Sequence, residues 1–68
     1  MTVVVNGSPA EVAPGATVAE LLEQLELPGA GRGVAVAVDA EVVPRGEWST
    51  RTVPDGARVE VLTAIQGG

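Results

Sequence analysis

Thr2-Val3-Val4-Val5-Asn6-Gly7-Ser8-Pro9-Ala10-Glu11-Val12 and, after Pro14-Gly15, Thr17-Val18-Ala19-Glu20-Leu21-Leu22-Glu23-Gln24-Leu25 carry opposite periodicities within the first 25 residues. In the first, a β-branched run over Thr2 to Asn6 meets Asn6-Gly7, the strongest short-range hairpin signal. Ser8 to Val12 returns as a second strand, and Pro9 is tolerated there only at a sheet edge, because it has no N–H to give to a neighbour. In the second, Thr17 stands three residues before Glu20, the spacing of a capping box in which each side chain satisfies an orphan amide at a helix start. Val18, Leu21, Leu22 and Leu25 then fall at i, i+3, i+4 and i+7 as one apolar stripe, with Glu20, Glu23, Gln24 and Glu26 on the other face. Pro28 is expected to stop the helix, and residues 29–33 to form a loop.

Beyond the loop the period returns to two. Val34-Ala35-Val36-Ala37-Val38 reads as a strand with large residues on one face and small ones on the other. Asp39-Ala40 turns into a short strand, Glu41 to Val43, closed by Pro44. Gly46 to Trp48 is expected to make a helical turn, Pro54-Asp55-Gly56 a tight turn, and Arg58 to Thr63 a last strand. The order is hairpin, helix, then three strands. It specifies an α+β fold: a mixed sheet of four to five strands packed on one main helix. The β-grasp arrangement of ubiquitin-like proteins is the economical wiring. Its helix would cover the sheet face lined by Val3, Val5, Val36, Val38, Val59 and Val61. Residues 1–64 form the expected domain and residues 65–68 a flexible tail.

The chain has 68 residues and a net charge of −5, so only one small domain fits. A domain of this size buries only about 60% of its unfolded surface. With no Cys, neither a disulfide nor a Cys-ligated metal staples it. The core must therefore be aliphatic, drawn mainly from thirteen valines, since Trp48 is the only aromatic residue.

The absences also restrict the chemistry. No His and no Cys means no ordinary near-neutral base and no thiolate nucleophile. The basic residues are Arg32, Arg45, Arg51 and Arg58, with no Lys for a Schiff base. A self-contained enzyme is not expected. The acidic balance argues against a nucleic-acid partner and suits steering toward a basic protein surface. No apolar run approaches 18 residues, and no basic segment precedes a long apolar one. The expectation is a cytoplasmic protein, monomeric when free, without a membrane partner.

Three features invite functional readings. Gly29-Ala30-Gly31-Arg32-Gly33 is glycine-rich, but a phosphate cradle needs a strand before it and a helix N-terminus after it, and here the order is reversed. Glu20, Glu23 and Glu26 lie opposite the leucine stripe and read as a solvated face rather than a metal site. Gly67-Gly68 differs. A terminal carboxylate entering a partner's active site needs a thin lead-in, and two glycines have no Cβ to clash with a narrow channel. Residues 65–68 reach about 13 Å when extended. Trp48 reads as a core residue whose indole donates to a backbone carbonyl. Arg45 can pair with an acid such as Glu47 or contact a partner.

These pieces together resemble the ThiS family, the sulfur carriers of thiamine biosynthesis, along nearly the whole chain. The resemblance rests on Val5-Asn6-Gly7, Thr17-Val18-Ala19-Glu20-Leu21-Leu22, Val36-Ala37-Val38-Asp39, Val42-Val43-Pro44-Arg45 with Trp48, Asp55-Gly56 and the closing Gly67-Gly68. It implies a carrier, not a catalyst. A ThiF-type adenylating enzyme would use ATP and Mg²⁺ to activate the Gly68 carboxylate, and a protein persulfide would supply sulfur. The resulting thiocarboxylate would serve a ThiG-type thiazole synthase. The chain itself would bind no cofactor and no metal. The small subunit of molybdopterin synthase is the neighbouring alternative, but its tail commonly carries Pro-Pro where this one has Thr63-Ala64-Ile65-Gln66. A protein modifier or non-covalent binding module is the alternative of another class.

Docking residues follow from strand alternation. If Val34, Val36 and Val38 face the helix, Ala35 and Ala37 face away. Leu62 and Ala64 share that outer face with Glu60. With the third and fifth strands adjacent, Ala35, Ala37, Leu62 and Ala64 form an apolar patch leading to Gly67 and Gly68, and Arg45 is a further partner contact.

Overall fold

In the computed structural model, residues 1–26 and 33–63 are described. The N-terminal hairpin pairs β1 (Thr2–Val5) with β2 (Ser8–Glu11). Asn6 and Gly7 take φ of 50° and 85°, the left-handed pair that a two-residue turn of this hand requires. Pro9 sits opposite Val4 on β2, an outer strand of the sheet. Both strands are one residue shorter than their sequence pattern. Asn6 has entered the turn, and Val12, just past β2, has a buried side chain and still exchanges backbone hydrogen bonds with Met1.

Helix α1 spans Val18–Gln24 and starts at the expected capping box. Thr17 Oγ1 accepts from the Glu20 N–H at 3.2 Å, and Glu20 Oε1 accepts from the Thr17 N–H at 2.9 Å. The donors that this box leaves over are met from elsewhere: Val18 N–H donates to the Arg51 carbonyl and Ala19 N–H to that of Trp48. So the loop after the fourth strand completes the helix start. The helix ends sooner than the stripe implies. Leu25 is its cap, half-buried, and Glu26 turns left-handed with φ 56°. Pro28, expected to stop it, lies outside the described residues.

The remaining strands are β3 (Val34–Val38), β4 (Glu41–Val43) and β5 (Arg58–Thr63). A 3-10 turn at Arg45–Glu47 stands one residue earlier than the expected Gly46 to Trp48 turn. The sheet order is β2-β1-β5-β3-β4, antiparallel throughout except where β1 and β5 run parallel. This is the β-grasp wiring: the last strand enters the middle of the sheet. Between β3 and β4, Asp39 and Ala40 make a left-handed turn, φ 50° and 69°, without any glycine. Asp39 accepts from the Arg58 N–H at 2.9 Å and donates its own N–H to the Arg58 carbonyl at 2.7 Å, which holds that turn against β5.

One face of the sheet and the apolar stripe of α1 enclose the core. Val3, Val18, Leu21 and Val59 are wholly buried, and Val36, Val38, Val43 and Val61 nearly so. Val5 is half-buried against the same cluster. Trp48 closes the end of the core, its indole N–H donating to the Val43 carbonyl at 2.9 Å, as its single polar group requires. Arg51 bridges Glu41 and Glu47, fastening the 3-10 turn to β4. At the opposite edge, Glu11 accepts from the Thr2 hydroxyl and lies 3.3 Å from the Met1 amino group. The hydroxyl and the neighbouring positive charge together hold its carboxyl below the usual carboxylate range.

Candidate functional site

The sheet face turned away from α1 is built by strand alternation. Where Val36 and Val61 pair across β3 and β5 on the inner face, the flanking pairs Ala35–Leu62 and Ala37–Glu60 stand on the outer one. Leu62 is 66% exposed, Ala35 is exposed and Ala37 half-buried. The expected grouping of Ala35, Ala37 and Leu62 is therefore present. Ala64, the fourth member of the expected patch, lies outside the described residues, as do Gly67 and Gly68.

Two shallow depressions flank Leu62. One, of about 400 Å³, is lined by Gly33, Val34, Ala35, Leu62 and Thr63, beside the end of β5. The other, of about 500 Å³, runs along β1 and β5 past Val4, Arg58 and Glu60. Leu62 is the ridge between them. A large aliphatic side chain held out on a strand, with a hollow on each side, has the shape to anchor a complementary protein surface.

Val42 extends the face and was missed by sequence reasoning. It is 70% exposed and stands directly opposite Ala37. Its signal was available: in a three-residue strand whose Val43 is buried, the preceding residue must point outward. Arg45 stands elsewhere, in the 3-10 turn, with its guanidinium 5.3 Å from the centre of the Trp48 ring. That stacking places it beside the core's end rather than with Leu62.

The described residues include no group of three or more His, Cys, Asp or Glu side chains placed to hold a metal ion. No helix among them is long and apolar enough to cross a membrane.

A β-grasp sheet, one crossover helix and an exposed apolar outer face ending toward the C-terminus define a ubiquitin-like protein. Residues 3–68 match the ThiS family. Over 68 residues, the whole of both chains, the sequence is 38% identical to the sulfur carrier protein ThiS of Escherichia coli (strain K12). The crystal structure of the thiamine biosynthesis protein ThiS from Geobacter metallireducens superposes with a TM-score of 0.83 at 37% identity, each chain fully covered. The solution structure of a thiamine biosynthesis protein from the same organism gives 0.76 at 36%, over all of this chain and 88% of that one. The chain belongs to the ThiS family, the sulfur carriers of thiamine biosynthesis.

Proposed function

We propose that this chain carries sulfur for the assembly of the thiamine thiazole on the carboxyl group of Gly68, and that partner enzymes perform every covalent step. The observation that carries the reading is the match to ThiS, which runs on through residue 68.

A carboxylate is a poor electrophile. Attack of the Gly68 carboxylate on the α-phosphorus of ATP, with Mg²⁺ held by a ThiF-type partner, releases pyrophosphate and leaves an acyl-adenylate. The terminal sulfur of a protein persulfide then attacks the carbonyl carbon and AMP departs. Cleavage of the resulting acyl disulfide by a thiol leaves Gly68 as a thiocarboxylate, nucleophilic at sulfur, for a ThiG-type thiazole synthase. The carrier needs no His, Cys or Lys of its own for this, and the sequence contains none. Its tasks are to dock and to present a slender terminus. Gly67 serves the second task because it adds no side chain to the channel. Leu62 on β5, with Ala35 and Ala37 beside it on β3, serves the first, and Ala64 is the fourth member proposed for that patch. Arg45 is a second contact, and Glu60 supplies negative charge beside the apolar patch for a basic partner surface.

The test is mass spectrometry of the chain after incubation with a thiazole-type activating enzyme, ATP and a persulfide donor. Replacement of one terminal oxygen by sulfur is expected in the intact chain and not in one lacking Gly68. Sulfur incorporation by the shortened chain would end the carrier reading, and stable conjugates through target lysines would make the protein a modifier instead.

A further inference from the structure

The parallel ladder between β1 and β5 pairs only Val4 with Arg58 and Val5 with Val59, the first two residues of β5, and stops four residues short of its end at Thr63. Asn6 N–H donates to the Val59 carbonyl at 2.9 Å, and there the backbone of β1 swings away into the left-handed turn. In a continued strand the next peptide group of β1 would pair with Val61. The side chain of Asn6 takes that place. Its Oδ1 accepts from the Val61 N–H at 2.8 Å and its Nδ2 donates to the Val61 carbonyl at 3.0 Å. The primary amide thus stands in for one peptide group, offering acceptor and donor as a strand would. Glycine could occupy this left-handed position but would offer neither group; aspartate would offer only the acceptor.

We propose that Asn6 is a positioning residue for the carrier chemistry: its amide clamps Val61 and so fixes the point and direction at which β5 hands the chain on toward Gly68. This rests on the carrier reading above. Val61 is the last core residue of β5, and only Leu62 and Thr63 follow within the strand. From Val61 to Gly68 the chain spans at most about 23 Å. β3 holds β5 on its other side as far as Thr63, so loss of the clamp frees the β1 side of the strand alone; over that span a small change in strand direction at Val61 is enough to displace the terminus relative to a docked Leu62. Misplacement of a reacting group by about 1 Å can cost on the order of a hundredfold in rate.

The experiment compares Asn6→Gly, Asn6→Asp and the control Gly15→Ala with the unaltered chain. Gly15 lies in the turn before α1 with φ 79° and open space around it, so alanine strains the backbone without touching β5. Amide exchange is read by NMR, and pyrophosphate release with the activating enzyme gives kcat and KM. In Asn6→Gly, exchange at Val61 should quicken about tenfold relative to Val59, as expected when local hydrogen bonds open. Its kcat should fall about tenfold with KM within about twofold, because docking through Leu62 persists. Asn6→Asp should lie between, and Gly15→Ala should lower thermal stability while leaving both constants unchanged. Undiminished Val61 protection in Asn6→Gly, or a kcat loss no greater than in Gly15→Ala, would overturn the assignment. Failure of the unaltered chain to release pyrophosphate would instead overturn the carrier reading, and the role of Asn6 with it.

Discussion

At the scale of single residues, Trp48 shows how one side chain does several structural jobs. The residue is 6% exposed, its indole N–H serves the Val43 carbonyl, and its own carbonyl receives the Ala19 N–H at the helix start. Trp48→Phe keeps an aromatic ring in the core but removes the indole donor to the Val43 carbonyl. The expected loss is about 1–3 kcal/mol, a large share of the roughly 3–10 kcal/mol expected for a chain this short. Chemical denaturation followed by circular dichroism measures it; a loss below experimental error would mean that the Val43 carbonyl finds another donor. Gly67 is the opposite kind of residue, expected to matter for function and not for folding. Gly67→Val should slow activation severely while stability stays within about 0.5 kcal/mol, as for substitutions outside the core. Unchanged activation kinetics would show that the partner reads only the terminal carboxylate.

At the scale of elements, the short helix has little stability of its own, since seven residues give fewer than two complete turns. It persists because its capping box and the carbonyls of Trp48 and Arg51 satisfy its first donors, while Leu21 and Leu22 are buried against the sheet. Thr17→Ala should therefore cost about 1 kcal/mol. Glu20→Gln should cost less, because an amide oxygen still accepts from the Thr17 N–H. Thermal melts of the two variants give the order, and equal stability of Thr17→Ala and the unaltered chain would mean that water replaces the cap. The box was legible because its spacing is local. The end of the helix was not: Glu26 adopts its left-handed conformation two residues before Pro28, at a position where sequence offers neither Gly nor Asn. The Asp39-Ala40 turn was expected, but its left-handed conformation without a glycine was not. Its conformation is held by the paired hydrogen bonds between Asp39 and Arg58, residues far apart in sequence.

At the scale of the whole molecule, the net charge of −5 and the exposed apolar face act together. A net negative charge opposes self-association of a small domain with outward-pointing Leu62 and Val42, and it complements a basic surface. Leu62→Glu should fold normally, since the side chain already faces solvent. Its binding to the activating enzyme should weaken at least about tenfold, about 1.4 kcal/mol, as titration calorimetry would measure. Equal affinity would move the docking surface away from β5.

What the sequence by itself determined is what depends on neighbours within a few residues or on composition. The alternation of β1, β3 and β5, the capping box, the Asn6-Gly7 turn and the outward direction of Ala35 and Leu62 all belong here. So does the absence of His, Cys and Lys. Tertiary structure decided what requires distant segments to meet. The 55-residue separation between Asn6 and Val61 carries no local signal for a side-chain amide completing another strand's ladder. The helix start draws on carbonyls some thirty residues downstream. Local torsional preferences and the two periodicities write the elements into the chain. Only the closing of the sheet around β5, where each unpaired backbone group must find a partner, assigns the remaining side chains their work.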